Sequence, residues 1–552
     1  MMTPTKTDYL RRLGALKNER ASWFDHWREL SDFVLPRTGR WMAQNSRNEG
    51  GQKKHNNILD NTGTRALRVL GAGLMAGATS PARPWFRLAT SDPELNESAA
   101  VKLWLAESTA TCLRVFQKSN AYRAFHHKYE ELGLYGTAAS FVADDFDTVL
   151  HYHTLTAGEY CLAGNQKGLP DTLYRETSRT VSELVKEFGR DAVSSTVRNL
   201  FDRGDLDQLI QIAHVIEPRT DREPDKRDAL NMPWRSVYFE LGGESDKLLR
   251  ESGFKRFRVL APRWDCNSGD IYGSSPAMDA LGDIKQLQHQ QRRKLQGIDY
   301  QTNPPLQAPA ELRDAINRLP GGISFYDQSQ PHGGIRSAFE VNLNLQHLLL
   351  DIQDTRERIR QAFYSDLFLM LADGNNGQMT ATEVTERHEE KMLMLGPVLE
   401  RLHNELLEPS VDVTFERCLE AGILPPVPEE LNGQELQIEF VSVLAQAQRA
   451  IQTNGIDRFT ANLGVIAQIK PEVMDRLDAD RWADVYADAL GVDPSLVVPA
   501  EKAALVRQQR ADAQAQQTRV DQAEQIASAA GKIGATAPGG GDMMQQLTGY
   551  GS

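Results

Sequence analysis

Histidines and carboxylates recur at three places where their spacing could hold a metal ion: His126-His127 with Glu130-Glu131, His151-x-His153, and Glu383, Glu386, His388, Glu389 and Glu390. On a helix or a strand such spacings bring donor atoms to one side. None completes an H-E-x-x-H pattern, and charges of both signs crowd the third run, as on a solvated or inter-subunit helix face. Surface histidines are the simpler reading of the first two, and no metal is assigned. Gly71, Gly73 and Gly77 form G-x-G-x-x-x-G, a near miss to the dinucleotide fingerprint whose spacing is wrong and which no strand precedes. No G-x-x-x-x-G-K-[ST] occurs, which excludes a P-loop motor, and no G-x-S-x-G occurs either. Scattered Ser, His and Asp residues do not assemble into a triad from sequence. The four cysteines, Cys112, Cys161, Cys266 and Cys418, are widely spaced without a CxxC pair and read as reduced, mostly buried thiols. Nothing here supports catalysis, and no cofactor is expected.

The elements carrying these residues follow from periodicity. Leu10–Leu35 places Leu13, Leu16, Trp23, Trp27, Leu30 and Val34 at helical spacing, up to Pro36. A second helix starts near Asn61 and Thr62, runs through Leu67, Leu70 and Leu74, and is closed by Pro81 and Pro84. Helices over Ala99–Lys118 and Tyr122–Leu134 follow, the latter stopped by Gly133 and Gly136. Short β-prone runs at 140–142, 149–152, 234–241 and 257–260 then alternate with helical 182–188 and 193–200, giving an α+β region.

Three long helical segments come next. Pro276–Tyr300 carries a stripe of Met278, Leu281, Ile284, Leu287, Leu295 and Ile298, and Asn303-Pro304-Pro305 stops it. Val341–Leu369 carries Leu345, Leu348, Ile352, Ile359 and Phe363, interrupted by Arg356. Thr380–Leu407 carries Met392, Leu395, Leu399, Leu402 and Leu406, with Gly396 and Pro397 inside the run as the expected cause of a kink. Residues 303–340, rich in Pro and Gly, are too long for a turn and suggest a small subdomain. A strand at Leu436–Val443, short helices to Leu490, an Ala/Gln/Arg-rich helix from Pro499 to about Ala530 and a Gly-rich tail complete the chain.

With 552 residues, 40% of them hydrophobic and 25% charged, the chain has the composition of a folded protein with two to four packed regions. The longest weakly polar stretch, Val69–Thr79, is about half of the roughly 20 residues a membrane span needs, and no apolar export signal opens the sequence. No membrane partner is expected. A net charge of -13 argues against a surface that wraps DNA phosphates, so any DNA contact should be weak and non-specific.

Several stretches together closely resemble the portal, or head-to-tail connector, family of short-tailed bacteriophages. They are Glu19-Arg20 to Trp27 with Leu35-Pro36-Arg37, Asp60–Ser80, Pro84-Trp85-Phe86, and Tyr272-Gly273-Ser274-Ser275-Pro276 leading into Ala280-Leu281-x-Asp283-Ile284-Lys285-x-Leu287 and Asn303-Pro304-Pro305-Leu306. The resemblance reaches about Leu407. It implies a mainly α fold with α+β portions, the phage portal fold of wing, stem, clip and crown, assembled as a cyclic ring of twelve around a DNA channel. By that likeness residues 1–275 are wing, 276–302 the first stem helix, 303–340 the clip, 341–365 the second stem helix, and 366–379 a tunnel loop. Residues 380–442 are the kinked wing helix and return strands, 443–532 the crown and C-terminal helical region, and 533–552 a flexible tail.

In the tunnel loop, Asp373, Gly374, Asn375, Asn376 and Gly377 would approach DNA. Lys285, Arg292, Arg293, Arg356 and Arg360 would either face the channel or pair with acids of the neighbouring subunit. The implied role is genome packaging and ejection at one capsid vertex. The implied partners are the terminase large subunit, a head-tail adaptor, major capsid and scaffolding proteins and passing double-stranded DNA. The chain would reside in the virion, and in the host cytoplasm during assembly. Two readings compete: a DNA-processing enzyme component, which would need clustered carboxylates or a P-loop, and a capsid or tail protein without a channel.

Overall fold

The computed structural model describes residues 4–41, 57–302 (except 93–94, 97, 227 and 243–246), 306–307, 336–337, 345–372, 395–442 (except 432) and shorter stretches between 444 and 523. The described residues are rich in helix with four small sheets, and the chain divides into two compact units, residues 1–448 and 449–552.

Helix α1 (Lys6–Phe33) opens on a capping box in which the Thr5 hydroxyl and the Asp8 carboxylate each accept the other residue's backbone N–H. Its buried side carries Tyr9, Leu13, Leu16, Trp27 and Leu30, and the Trp27 indole donates to the Tyr135 carbonyl at 3.1 Å. Helix α2 (Thr62–Ala78) is followed by β1 (Phe86–Thr90), α3 (Ala99–Lys118) and α4 (Ala121–Tyr135). Gly136, at φ +73, ends α4 in the left-handed conformation that an L side chain avoids. Gly133, by contrast, lies inside α4, where Leu67 and Leu70 press on it.

Strands β2 (Ala139–Asp145) and β3 (Val149–Leu155) form a hairpin. Next come β4 (Tyr160–Gly164), β5 (Pro170–Thr180), α5 (Val181–Phe188), α6 (Ser195–Arg203), β6 (Leu209–Pro218), β7 (Trp234–Glu240), β8 (Arg250–Phe254) and β9 (Val259–Leu260). Strands β4 to β8 form one antiparallel meander in chain order, and β9 pairs with β2 on the edge away from β3. Neither β5 nor β6 was expected from the sequence. Strand β5 is largely polar and β6 sits at the edge of a loop-like stretch, so both are strands because neighbours on either side complete their ladders. The same holds for β1, which pairs with β12 (Leu436–Phe440) from the far end of the unit, Phe86 opposite Phe440.

Helices α7 (Pro276–Asp279) and α8 (Leu281–Thr302) form a nearly continuous rod. After the pair β10 (Leu306–Gln307) and β11 (Arg336–Ser337), α9 (Leu345–Ala362) returns and α10 (Ser365–Ala372) follows. The single helix expected over 341–369 is thus broken at Phe363-Tyr364, and residues 366–372, expected to begin a loop, are helical. Helix α11 (395–402) continues through a wide turn of π type at His403–Leu407 into α12 (Glu408–Glu420), well past the end expected at Leu407. Pro409 lacks an N–H, and the widened turn accommodates the interrupted ladder.

One large core, built around Trp27, Trp85, Phe116, Phe125, Tyr129, Leu281, Ile359, Leu399 and Val411, unites nearly all of these elements. A smaller cluster packs α1 on the meander, and another packs α5 and α6 on it. In the second unit, α13 (Ala479–Leu490) carries Trp482 stacked on Tyr486, and Arg507, on a further helical stretch at 506–518, pairs with Asp480.

Candidate functional site

The long helix pair α8–α9 is where the sequence places most of its candidate residues. Ser275 starts the first rod: its hydroxyl accepts the Met278 N–H and donates to the Leu134 carbonyl, and Pro276 supplies a preset first turn. The two helices run antiparallel, cross-linked by Arg358 to Asp283 (3.1 Å), Gln286 to Thr355 (3.5 Å) and Gln290 to Thr355 (3.3 Å) and Asp351 (2.5 Å). Near the body of the unit their apolar residues, Leu281, Ile284, Leu287, Ile352 and Ile359, are buried. Farther along, Leu295 (51% exposed), Tyr300, Leu349 and Leu350 (67% exposed) face solvent.

Asp60 anchors this pair to the start of α2. Its Oδ1 accepts the Thr62 N–H at 2.9 Å and hydroxyl at 2.5 Å; its Oδ2 accepts Gln291 at 2.9 Å and both Nε and Nη2 of Arg356 at 3.0 and 2.6 Å. Gln288 completes the joint, its Oε1 accepting the Leu59 and Asp60 N–H groups and its Nε2 donating to the Asp60 carbonyl. Burial pushes the Asp60 carboxyl up, but hydrogen bonds from Thr62 and Arg356 outweigh it and hold the group below its ordinary value. Asn61, which precedes the first turn of α2, makes no side-chain capping bond; the Asp60 carboxylate accepts the Thr62 N–H instead. Asp60, Gln288 and Gln291 went unnoticed in the sequence, although two glutamines three apart on one helix face could have signalled a polar contact.

The five cations singled out on the helix pair fare differently. Lys285 pairs with Glu29 and lies 5.7 Å from the Phe33 ring. Arg356 is spent on Asp60, and Arg360 meets Glu357 of its own helix at 3.3 Å. Arg293 is exposed and, among the described residues, reaches only His289 and Gln296. Arg292 is exposed too, and neither has a carboxylate partner among the described residues. Asp373, Gly374, Asn375, Asn376 and Gly377 lie outside the described residues, as does most of 303–340. Gly396 and Pro397 stand in the first described turn of α11, at the border of residues 373–394, which also lie outside.

The segment leading into the first rod is tied to α11–α12 as well. Glu405, in the wide turn, accepts the Arg263 backbone N–H at 2.9 Å and its guanidinium at 3.2 and 2.6 Å, with both side chains over 90% buried. Arg401 pairs with Asp265 at 2.7 Å, and His403 stacks on Phe440.

The near-miss glycine motif has a packing role. A Cβ at Gly71 would come within 2.9 Å of Glu130 Cγ, one at Gly77 within 2.7 Å of Leu444, and one at Gly73 would overlap the Phe368 ring. These glycines are the sockets in which α4, α10 and Leu444 seat on α2. The histidine pairs suit a cation poorly. Burial, aided by Arg175 and His151, lowers His153 to about 4, and His127 is lowered by burial and then by Lys128. His126 and His127 are partly buried rather than free on the surface. Among the described residues no three ligands gather for a metal, and Glu383–Glu390 lie outside them.

The model of the family described as bacteriophage head to tail connecting protein matches residues 6–498. The chain is 61% identical over 526 residues to the probable portal protein of Bordetella phage BPP-1, covering 95% of this chain and 94% of that one. It is 43% identical over 513 residues to the portal protein of Salmonella phage epsilon15, covering 93% and 92%. Solved structures resembling it include the virion of a native gene transfer agent particle (TM-score 0.37, 11% identity, 84% of this chain and 100% of that one). Another is the neck of the native particle computed with C12 symmetry (0.36, 10%, 74% and 86%). The chain belongs to the bacteriophage head to tail connecting family. Its function is that of a portal protein, a structural phage component and not an enzyme.

Proposed function

We propose that twelve copies close into a ring whose stem is the α8–α9 pair, with DNA entering and leaving the capsid through its centre. The observation that carries this reading is the exposed apolar set Leu295, Tyr300, Leu349 and Leu350 on helices whose other ends are buried. A neighbouring copy covers such a face, and closed rotational symmetry is the usual outcome of heterologous contacts. In this reading residues 1–275 and 380–442 are wing, 303–340 the clip, 366–379 the tunnel-loop segment, which opens on helix α10, and 443–532 the crown and C-terminal helical region.

The clip meets the terminase large subunit during filling and the head-tail adaptor afterward, while the outer wing contacts capsid and scaffolding proteins. The ring occupies the portal vertex of the virion and assembles in the host cytoplasm. With Lys285, Arg356 and Arg360 each meeting a carboxylate within the chain, Arg292 and Arg293, with Lys294 beside them, are the cations of the described helix pair left to approach the lumen, few enough for DNA to slide. Native mass spectrometry of the full chain at micromolar concentration is expected to show a dodecamer, and class-averaged images an open pore. Monomers or dimers alone would overturn the ring, and a ring without a pore would overturn the channel.

A further inference from the structure

Residues 345–372 contain neither glycine nor proline, and their local sequence encodes one helix. The helix nevertheless breaks at Tyr364, whose φ of +54 is a conformation that an aromatic L residue adopts only when its surroundings impose it. The Tyr364 N–H donates to the Gln361 carbonyl at 3.0 Å, and its own carbonyl accepts from Leu367 and Phe368, so the chain turns there and starts again. Three contacts hold the turn. The Trp264 ring lies 6.0 Å from that of Tyr364, Phe368 fills the space left by Gly73, and Arg356 fixes the preceding helix to Asp60. The residue leading into α2 therefore grips the second half of α9, and the middle of α2 grips α10. The bend also leaves the buried Ser365 hydroxyl without a hydrogen-bond partner among the described residues. In an unbroken helix that hydroxyl would reach the Gln361 carbonyl four residues back.

We propose that α9–α10 is a two-position element: a bent form seated in the Gly73 socket, and a straight form in which Tyr364 returns to helical angles and 345–372 is one rod. Local sequence favours the straight form and the contacts with α2 and Trp264 favour the bent one. Such a balance lets α10 swing off α2 while α9 stays clamped to Asp60. The element changes its direction relative to the helix pair without unfolding, and the proposal stands whether or not the ring reading does.

The test places spin labels at Leu349→Cys and Leu369→Cys, both exposed, in full-length chains carrying Cys266→Ser and diluted with unlabelled chain. A straight rod sets these positions about 30 Å apart, and the bend brings them closer. Phe368→Ala withdraws the knob and Gly73→Ala fills the socket; each is expected to raise the straight-to-bent ratio about tenfold. Adding Tyr364→Gly, which removes the steric objection to the turn, is expected to restore the short distance. If the distance stays short in both single variants, or broadens with loss of amide protection over 365–372, the element is rigid or melts and the proposal fails. If Phe368→Ala does not fold, Gly73→Ala decides alone.

Discussion

Replacing Asp60 with asparagine should loosen the α8–α9 pair from the rest of the unit without changing its shape. The substitution keeps the size of the side chain but removes the charge that accepts two bonds from Arg356 at 3.0 and 2.6 Å. It also turns one oxygen into an amide NH2 that must face Thr62 or Gln291, both of which already donate there. Charge-assisted bonds contribute about 1.5–3 kcal/mol. Because the Arg356 side chain is 39% exposed, water screens part of that, and the lower half of the range applies. A loss of about 2 kcal/mol raises local opening about thirtyfold. Hydrogen exchange read over 345–362 should show this increase, with the core of α2 unchanged. Arg356→Gln combined with Asp60→Asn should cost less than the sum of the two single changes. Since Asp60 titrates below its ordinary value when folded, its stabilisation is complete above the unfolded value near 3.9 and lost as pH falls through the folded one. The asparagine penalty should therefore be flat from pH 8 to pH 5 and shrink below about pH 4. Exchange in α9 within twofold of the unmodified protein at neutral pH would refute the anchoring role.

Glu405→Gln removes one charge from a buried pair and leaves Arg263 poorly compensated, so urea denaturation should register a loss of about 3 kcal/mol. His214 is fully buried between Arg175, which donates to its Nδ1, and Ser236, and burial holds its folded value well below the ordinary one. Its contribution is present above the unfolded value near 6.5 and falls by about 1.4 kcal/mol per unit below it, so His214→Gln should flatten the stability profile between pH 6.5 and 5. Asn375→Lys with Asn376→Lys should slow DNA packaging per capsid, less so at high salt; unchanged rates with intact rings would place that loop away from DNA.

Local chemistry made much of the helical framework legible. Helix α3 runs from Ala99 to Lys118 as its periodicity requires, Gly136 ends α4 at positive φ, and Pro276 opens the rod of α7 and α8. These features depend on neighbours within a turn or two, which is the range that side-chain period, capping and proline geometry control. The order of modest motifs also sufficed to identify the family. Tertiary structure decided what depends on distant partners. Strand β1 exists because β12 reaches it from the other end of the unit, and polar β5 because β4 and β6 flank it. The break at Tyr364 runs against its own sequence, imposed by Trp264 and the Gly73 socket. Asp60 becomes the anchor of the helix pair only when Gln288, Gln291 and Arg356, more than two hundred residues away, are folded onto it. A carboxylate announces its charge in the sequence; which donors will satisfy it is settled by packing, because only burial makes an unpaired charge costly enough to select its partners.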